Sequence, residues 1–186
     1  MAVFDLEVDA RRLDFLLVRN SVVTLFWRTS LFAEATNWMR QNGYTTVSLD
    51  ASAWQSDDDL HRDIAAALGF PDYYGKNLDA LNDCLRDVVG YEYGTTREAT
   101  GLAITFAAYD TFARRRPRTA QIVLDIVADQ ARRAMLTGHR MLCLVQSGNP
   151  DITFEPVGAM SVIWNHAEWL DAKRQPGSVP RPLISE

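Results

Sequence analysis

The chain reads as an α/β protein with a mainly parallel sheet and helices packed on it. Apolar runs of strand length alternate with segments whose apolar residues recur every three or four positions, the helical period. Val22–Trp27, a helical stretch ended by Gly43, and a further strand from Tyr44 make a short βαβ unit, which favours parallel, right-handed placement. At 186 residues the chain is expected to form one domain able to bury a full core.

The elements follow in order. Ala10–Arg19 is expected as a helix packed across the sheet. Val22-Val23-Thr24-Leu25-Phe26-Trp27 has the composition of a buried strand. Ser30 is placed to cap a helix carrying Leu31, Ala35, Trp38 and Met39 on one face, and Gly43 to stop it. Trp27 and Trp38 are expected in the core. After a strand at Thr45–Asp50, Ser56-Asp57-Asp58-Asp59 starts a helix. Ser56 with Asp59 resembles a capping box, and three acids in the first turn suit the helix dipole. Leu60, Ile64 and Leu68 then repeat at four, so this acid run is read as structural.

The tract Phe70–Leu85 is the most informative part of the chain. Pro71 fixes its own φ, and Gly75 is free to take backbone angles that other residues avoid. Asn77 is a good N-cap, so a helix is expected from Leu78. Leu78, Leu81, Leu85 and Val88 share one face of it, and Asp79, Asp83 and Asp87, spaced by four, share the opposite face. Such like charges repel by about a few tenths of a kcal/mol each, and only Asp79, in the first turn, regains some of this from the dipole. Tyr73 and Tyr74 beside the acids give an aromatic and charged surface of the kind found at binding hot spots.

Beyond this tract, Gly101–Ala107 is expected as a strand, Thr119–Leu136 as a long helix and Arg140–Gln146 as a strand. Arg114-Arg115-Arg116-Pro117-Arg118 reads as a solvated loop before the helix, which Pro117 and Thr119 would open. Ser147-Gly148-Asn149-Pro150 is a turn. A last strand at Ala159–Trp164, a short helix at His166–Lys173 and an extended or disordered tail at Gly177–Glu186 complete the reading.

Apolar residues make up 47% of the chain and charged ones 23%, the balance of a globular protein in water. No apolar run reaches the length of a membrane span, and Met-Ala-Val-Phe-Asp-Leu-Glu does not have the form of a secretory signal. Cys84 and Cys143 lie in apolar stretches and are expected as buried thiols, which suits a reducing cytoplasm. The net charge is −5, yet residues 46–91 alone carry nine Asp against Arg62, Lys76 and Arg86, a net −6. So concentrated a charge points to a basic partner and argues against nucleic acid on this face. His61, His139 and His166 are scattered without metal-ligand spacing, and no nucleotide or nucleophile motif is present. No catalytic residue, metal or cofactor is expected.

The tract Tyr-Tyr-Gly-x-Asn-Leu-Asp-Ala-Leu followed by x-Asp-Cys-Leu resembles the barstar family, intracellular inhibitors of barnase-type ribonucleases, and the order of elements agrees with it over residues 44–147. The resemblance implies a barstar-like sheet, enlarged by a strand–helix unit at 1–43 and an extension at 148–186. It implies a basic ribonuclease or nuclease toxin as partner, with carboxylates on a rigid helix taking the positions of phosphates in the cleft. Tyr73, Gly75, Asn77, Asp79 and Asp83 match the family's contact surface, with Asp83 as its central acidic anchor. Tyr74 and Asp87 lie beside them and are expected to take part. Lys76 stands where the prototype has an acid and Asn82 where it has a tryptophan, so the cleft contacted is expected to differ from that of barnase. Ile126 and Asp129 match a second contact patch. A binding module of this family with a target other than a ribonuclease is the alternative; an α/β enzyme has little support in the sequence.

Overall fold

The central strands of the sheet form where the sequence can be buried from both sides. The computed structural model describes residues 3–184. Among them, β1 (Val23–Phe26), β2 (Tyr44–Asp50), β3 (Gly101–Ala107), β4 (Arg140–Gln146) and β5 (Ile163–Trp164) form one sheet in the order β2-β3-β4-β1-β5. Every pairing is parallel. Successive side chains of a strand point to opposite faces. Val23, Leu25, Ile104, Phe106, Cys143 and Val145 therefore enter one core, while Phe26, Ala103, Leu142 and Leu144 enter a second core behind the sheet. Burial on both faces is why these runs are almost continuously apolar.

Seven α-helices cover the two faces among the described residues: α1 (Leu6–Asp9), α2 (Leu13–Val18), α3 (Thr29–Gln41), α4 (Asp57–Leu68), α5 (Leu78–Val89), α6 (Tyr109–Arg115) and α7 (Pro117–Leu136). The larger core receives α4, α5, α6 and α7. The smaller receives α2 and α3, together with Ala167 and Leu183 from the end of the chain. The register at the centre is fixed by close approach: a Cβ on Gly101 would lie 2.4 Å from the Arg140 carbonyl and 2.7 Å from the Tyr44 ring.

The βαβ unit is parallel as expected, but β1 and β2 are not neighbours, because β3 and β4 lie between them. A helix of this length, about 20 Å at 1.5 Å per residue, spans the roughly 14 Å of three strand spacings. Leu31, Ala35 and Met39 of α3 are buried along that path. Its start differs from the expectation at Ser30. Arg28 is the N-cap, and the entering backbone N–H groups of Trp27 and Arg28 each donate at 2.9 Å to Glu168, far along the chain. Trp27 and Trp38 are half-buried and not in the core; Arg28 lies 4.8 Å over the first ring and Arg12 5.2 Å over the second.

The added segments are fastened by buried charges. Asp14 in α2 accepts hydrogen bonds from Tyr44 Oη at 2.7 Å and Arg140 Nη1 at 3.1 Å, which ties the helix to β2 and β4. Burial alone would raise its pKa, but hydrogen bonds from Arg12 and Tyr44 outweigh burial and hold the carboxyl below the usual range. Asp9 pairs with Arg140 at 2.7 Å. The expected helix at Ala10–Arg19 is thus shorter, with α1 before it.

Further differences lie toward the C-terminus. The arginine run is not a loop. Arg114 and Arg115 close α6, Arg118 lies in α7 after Pro117 at its start, Arg114 pairs with Asp110 at 2.8 Å and Arg115 donates to the Trp54 carbonyl at 2.8 Å. The last strand shrinks to Ile163–Trp164, and the helix expected at His166–Lys173 to a single 3-10 turn at Asp171–Lys173. The tail is anchored, since Leu183 is buried and its carbonyl lies 3.0 Å from His166 Nε2. Residues 185 and 186 of the expected tail lie outside the described residues.

Candidate functional site

The Phe70–Leu85 tract begins where α4 ends. Gly69 adopts φ +66° as the C-cap of α4, and the Tyr74 N–H donates to the Pro71 carbonyl at 2.9 Å, closing a tight turn. This turn sends its two tyrosines in opposite directions. Tyr73 stands 80% exposed, whereas Tyr74 is only 7% exposed. Tyr74 is therefore a core residue and not the surface residue expected. Its hydroxyl lies 2.5 Å from Nδ1 of the buried His61 in α4, and its ring meets Phe70 edge-on at 4.9 Å. Burial pushes the Tyr74 hydroxyl pKa up and the His61 imidazole pKa down, so both stay neutral near pH 7. Sequence reading missed His61 as the support of this turn, because the contact crosses from one helix to the next.

The unusual backbone angle falls on Lys76, at φ +48°, and not on Gly75. Gly75 is instead constrained by space, since a Cβ there would lie 3.2 Å from Asn77 Nδ2. Asn77 caps α5 as expected: its Oδ1 accepts from the Ala80 N–H at 2.8 Å, and its Nδ2 donates to the Gly75 carbonyl at 3.3 Å. The side chain is thus already engaged in holding the turn against the helix.

The phase of α5 follows the leucine spacing. Leu81, Cys84, Leu85 and Val88 are buried, Leu78 is half-buried, and Asp79 and Asp83 are exposed. Asp87 is half-buried, so the exposed stripe is two carboxylates long and its third member sits at the rim. Asp83 Oδ1 lies 3.1 Å from Arg86 Nη1 on the same helix. Among the described residues Asp79 and Asp87 have no ion-pair partner. The concentrated acidity of residues 46–91 also divides. Asp57, Asp58 and Asp59 sit in the first turn of α4. There Asp59 accepts from the backbone N–H groups of Gln55 and Ser56, which with Arg62 hold its carboxyl at about 2. That half of the charge serves the fold, while Asp72, Asp79, Asp83 and Asp87 with Lys76 and Arg86 make a surface of mixed sign.

Helix α7 fixes the far side of α5. Gln130, fully buried, donates from Nε2 to Asn82 Oδ1 at 2.7 Å, so Asn82 is a half-buried link between helices. One turn away, Ile126 is half-buried and packs against the larger core. Asp129 is held by Arg132 and by Arg133, the latter at 2.9 Å. These arginines outweigh burial and lower its carboxyl pKa. The i,i+3 and i,i+4 spacing of these pairs was legible in the sequence, unlike the Gln130–Asn82 bond.

No three His, Cys, Asp or Glu residues among those described are arranged to hold a metal ion. Cys84 and Cys143 are buried free thiols, and burial raises the pKa of the second. No helix among the described residues is long and apolar enough to cross a membrane. The site offers shape and charge.

Comparison with known proteins gives the chain a family and a partial relative. Residues 44–146 match the family model described as Barstar (barnase inhibitor). The chain is 49% identical over 39 residues to a protein of Bacillus subtilis (strain 168) named "Putative ribonuclease inhibitor YrdF". That match covers 21% of this chain and 43% of the relative, so the chain spans less than half the length of the curated relative it matches. Strands β2, β3 and β4 and helices α4 to α7 fall within the family match; β1 and β5 lie outside it.

Proposed function

The chain belongs to the barstar family, and on that premise we propose that it inhibits a basic ribonuclease by filling its cleft with α5 and the Tyr73 turn. The observation that carries this reading is the exposure of Tyr73 in the turn that leads into α5, together with that of Asp79 and Asp83 on a helix whose other face is locked into the core. A large aromatic ring held in water is costly for a free protein and useful at an interface. Carboxylates on a rigid helix lose little entropy on docking and can take up the cations that hold a phosphate. Tyr73, Gly75, Asn77, Asp79, Asp83 and Asp87 form the proposed contact, with Ile126 and Asp129 as a second patch. Tyr74 and Asn82 contribute by holding the turn and the helix in place. The chain acts as an inhibitor and not an enzyme, in a cytoplasm whose reducing state suits its two free thiols.

The test is inhibition of basic ribonucleases by wild type and Asp83→Asn at two salt concentrations. Asn keeps the shape and removes the charge, so affinity is expected to fall while the melting curve is unchanged. Inhibition by the wild type is expected to weaken with salt, because exposed charges are screened beyond about 8–10 Å at physiological ionic strength. Equal affinity for both proteins with no salt dependence refutes cleft mimicry. That result favours a binding module with another target, which the mixed charge of the surface and the engagement of Asn82 within the protein also fit.

A further inference from the structure

We infer that Arg86 is a specificity-determining residue of this surface, and that the ribonuclease it fits carries a carboxylate opposite Arg86 beside the cations that receive Asp83. This rests on the inhibitory reading above and names the chemistry of the partner. Arg86 Nη1 lies 3.1 Å from Asp83 Oδ1, and both side chains are more than half exposed. The acid that matches the family's central anchor is therefore already neutralised by its own helix. The pattern recurs on α7, where Asp129 is held by both Arg132 and Arg133. At the turn, Lys76 is exposed.

The consequence follows from what happens to the arginine on docking. A guanidinium cannot give up its proton. If Asp83 moves onto the cations of a purely basic cleft, Arg86 is carried into the same space. It then loses water and its carboxylate together and faces charges of its own sign. Like-charge contact of this kind is how interfaces reject the wrong partner. Opening an exposed pair within one helix costs little. A cleft that offers a cation to Asp83 and a carboxylate to Arg86 therefore replaces one weak pair with two desolvated ones. Arg86 selects such a cleft over a wholly cationic one.

Barnase, the target named in the family description, serves as the probe. Its inhibition constants are measured with wild type, Arg86→Ala, Asp83→Asn and the double variant, with thermal melts to confirm that each is folded. Arg86→Ala is expected to tighten inhibition at least tenfold, and most of this gain is expected to persist when the double variant is compared with Asp83→Asn, because it comes from removing a like charge from the cleft and only in small part from releasing Asp83. If Asp83→Asn weakens inhibition while Arg86→Ala brings no gain, the inference is overturned and the inhibitory reading stands. If Asp83→Asn has no effect on inhibition that is present, the inhibitory reading fails and the inference with it. No inhibition by Arg86→Ala also overturns the inference, since removing Arg86 then does not admit a cationic cleft.

Discussion

Replacing Glu168 is expected to destabilise the whole protein, although the residue lies well outside the family match. Glu168 is fully buried, at 0% exposure, and accepts four hydrogen bonds. Oε2 takes the Trp27 N–H at 2.9 Å and Asn165 Nδ2 at 2.6 Å; Oε1 takes the Arg28 N–H at 2.9 Å and Arg28 Nη1 at 3.3 Å. Glu168→Ala strands two backbone donors and part of a guanidinium. Breaking a buried pair in this way costs about 3–5 kcal/mol. At about 2–4 °C per kcal/mol for a chain of this size, Tm is expected to fall by roughly 6–20 °C. Glu168→Gln is expected to cost about 1–3 kcal/mol, because its amide nitrogen must face donors on one side. Asn165 cannot turn over to help, since its Oδ1 accepts from the Ala167 N–H at 3.0 Å and its Nδ2 also donates to the Leu25 carbonyl at 3.2 Å. The assay is thermal unfolding followed by circular dichroism and tryptophan fluorescence. Both probes are expected to move together, since β1 and β5 share one sheet with β2, β3 and β4. A Glu168→Gln variant as stable as wild type would refute the account of the carboxylate. An early transition confined to one probe would refute the expectation of a single domain.

Three further outcomes are expected. Tyr74→Phe leaves Nδ1 of the buried His61 without its hydroxyl partner at 2.5 Å, so urea unfolding is expected to show a loss of about 1–3 kcal/mol. Lys76→Gly relieves a left-handed backbone angle, φ +48°, and the same assay is expected to show a gain of up to about 1 kcal/mol. Stability is also expected to fall as pH drops below about 6.5, the ordinary value for histidine, because burial holds the pKa of His61 lower despite the pull of Asp57 and Asp58. The unfolded chain then binds the proton that the folded one refuses, so stability rises with pH across this window. Urea midpoints measured from pH 7 to pH 5 check this, with His61→Gln expected to flatten the slope.

What the sequence determined by itself was local. The Asn77 cap, the burial of Leu81 and Leu85 opposite Asp79 and Asp83, and the acids opening α4 all depend on residues within a turn or two of each other, and the structure agrees with each. Strands β3 and β4 were legible because burial on both faces leaves a continuous apolar run, and the edge strand β2 because buried Val47 and Leu49 alternate with exposed Ser48 and Asp50. The tertiary structure decided whatever depends on a partner far along the chain. Tyr73 and Tyr74 are identical as letters, and only the cavity beside His61 and Phe70 determines which one turns inward. Ser30 had the right chemistry to cap α3, but Glu168 supplies acceptors to the entering backbone from 140 residues away. Asn82 looks like a surface position until Gln130 reaches it from α7. The order of the strands belongs to the same class, because α3 is long enough to carry the chain past two strands as easily as past none. Capping and helical phase follow from backbone geometry, which each segment carries with it; burial and long-range hydrogen bonds follow from which surfaces meet, and that is fixed only when the whole sheet assembles.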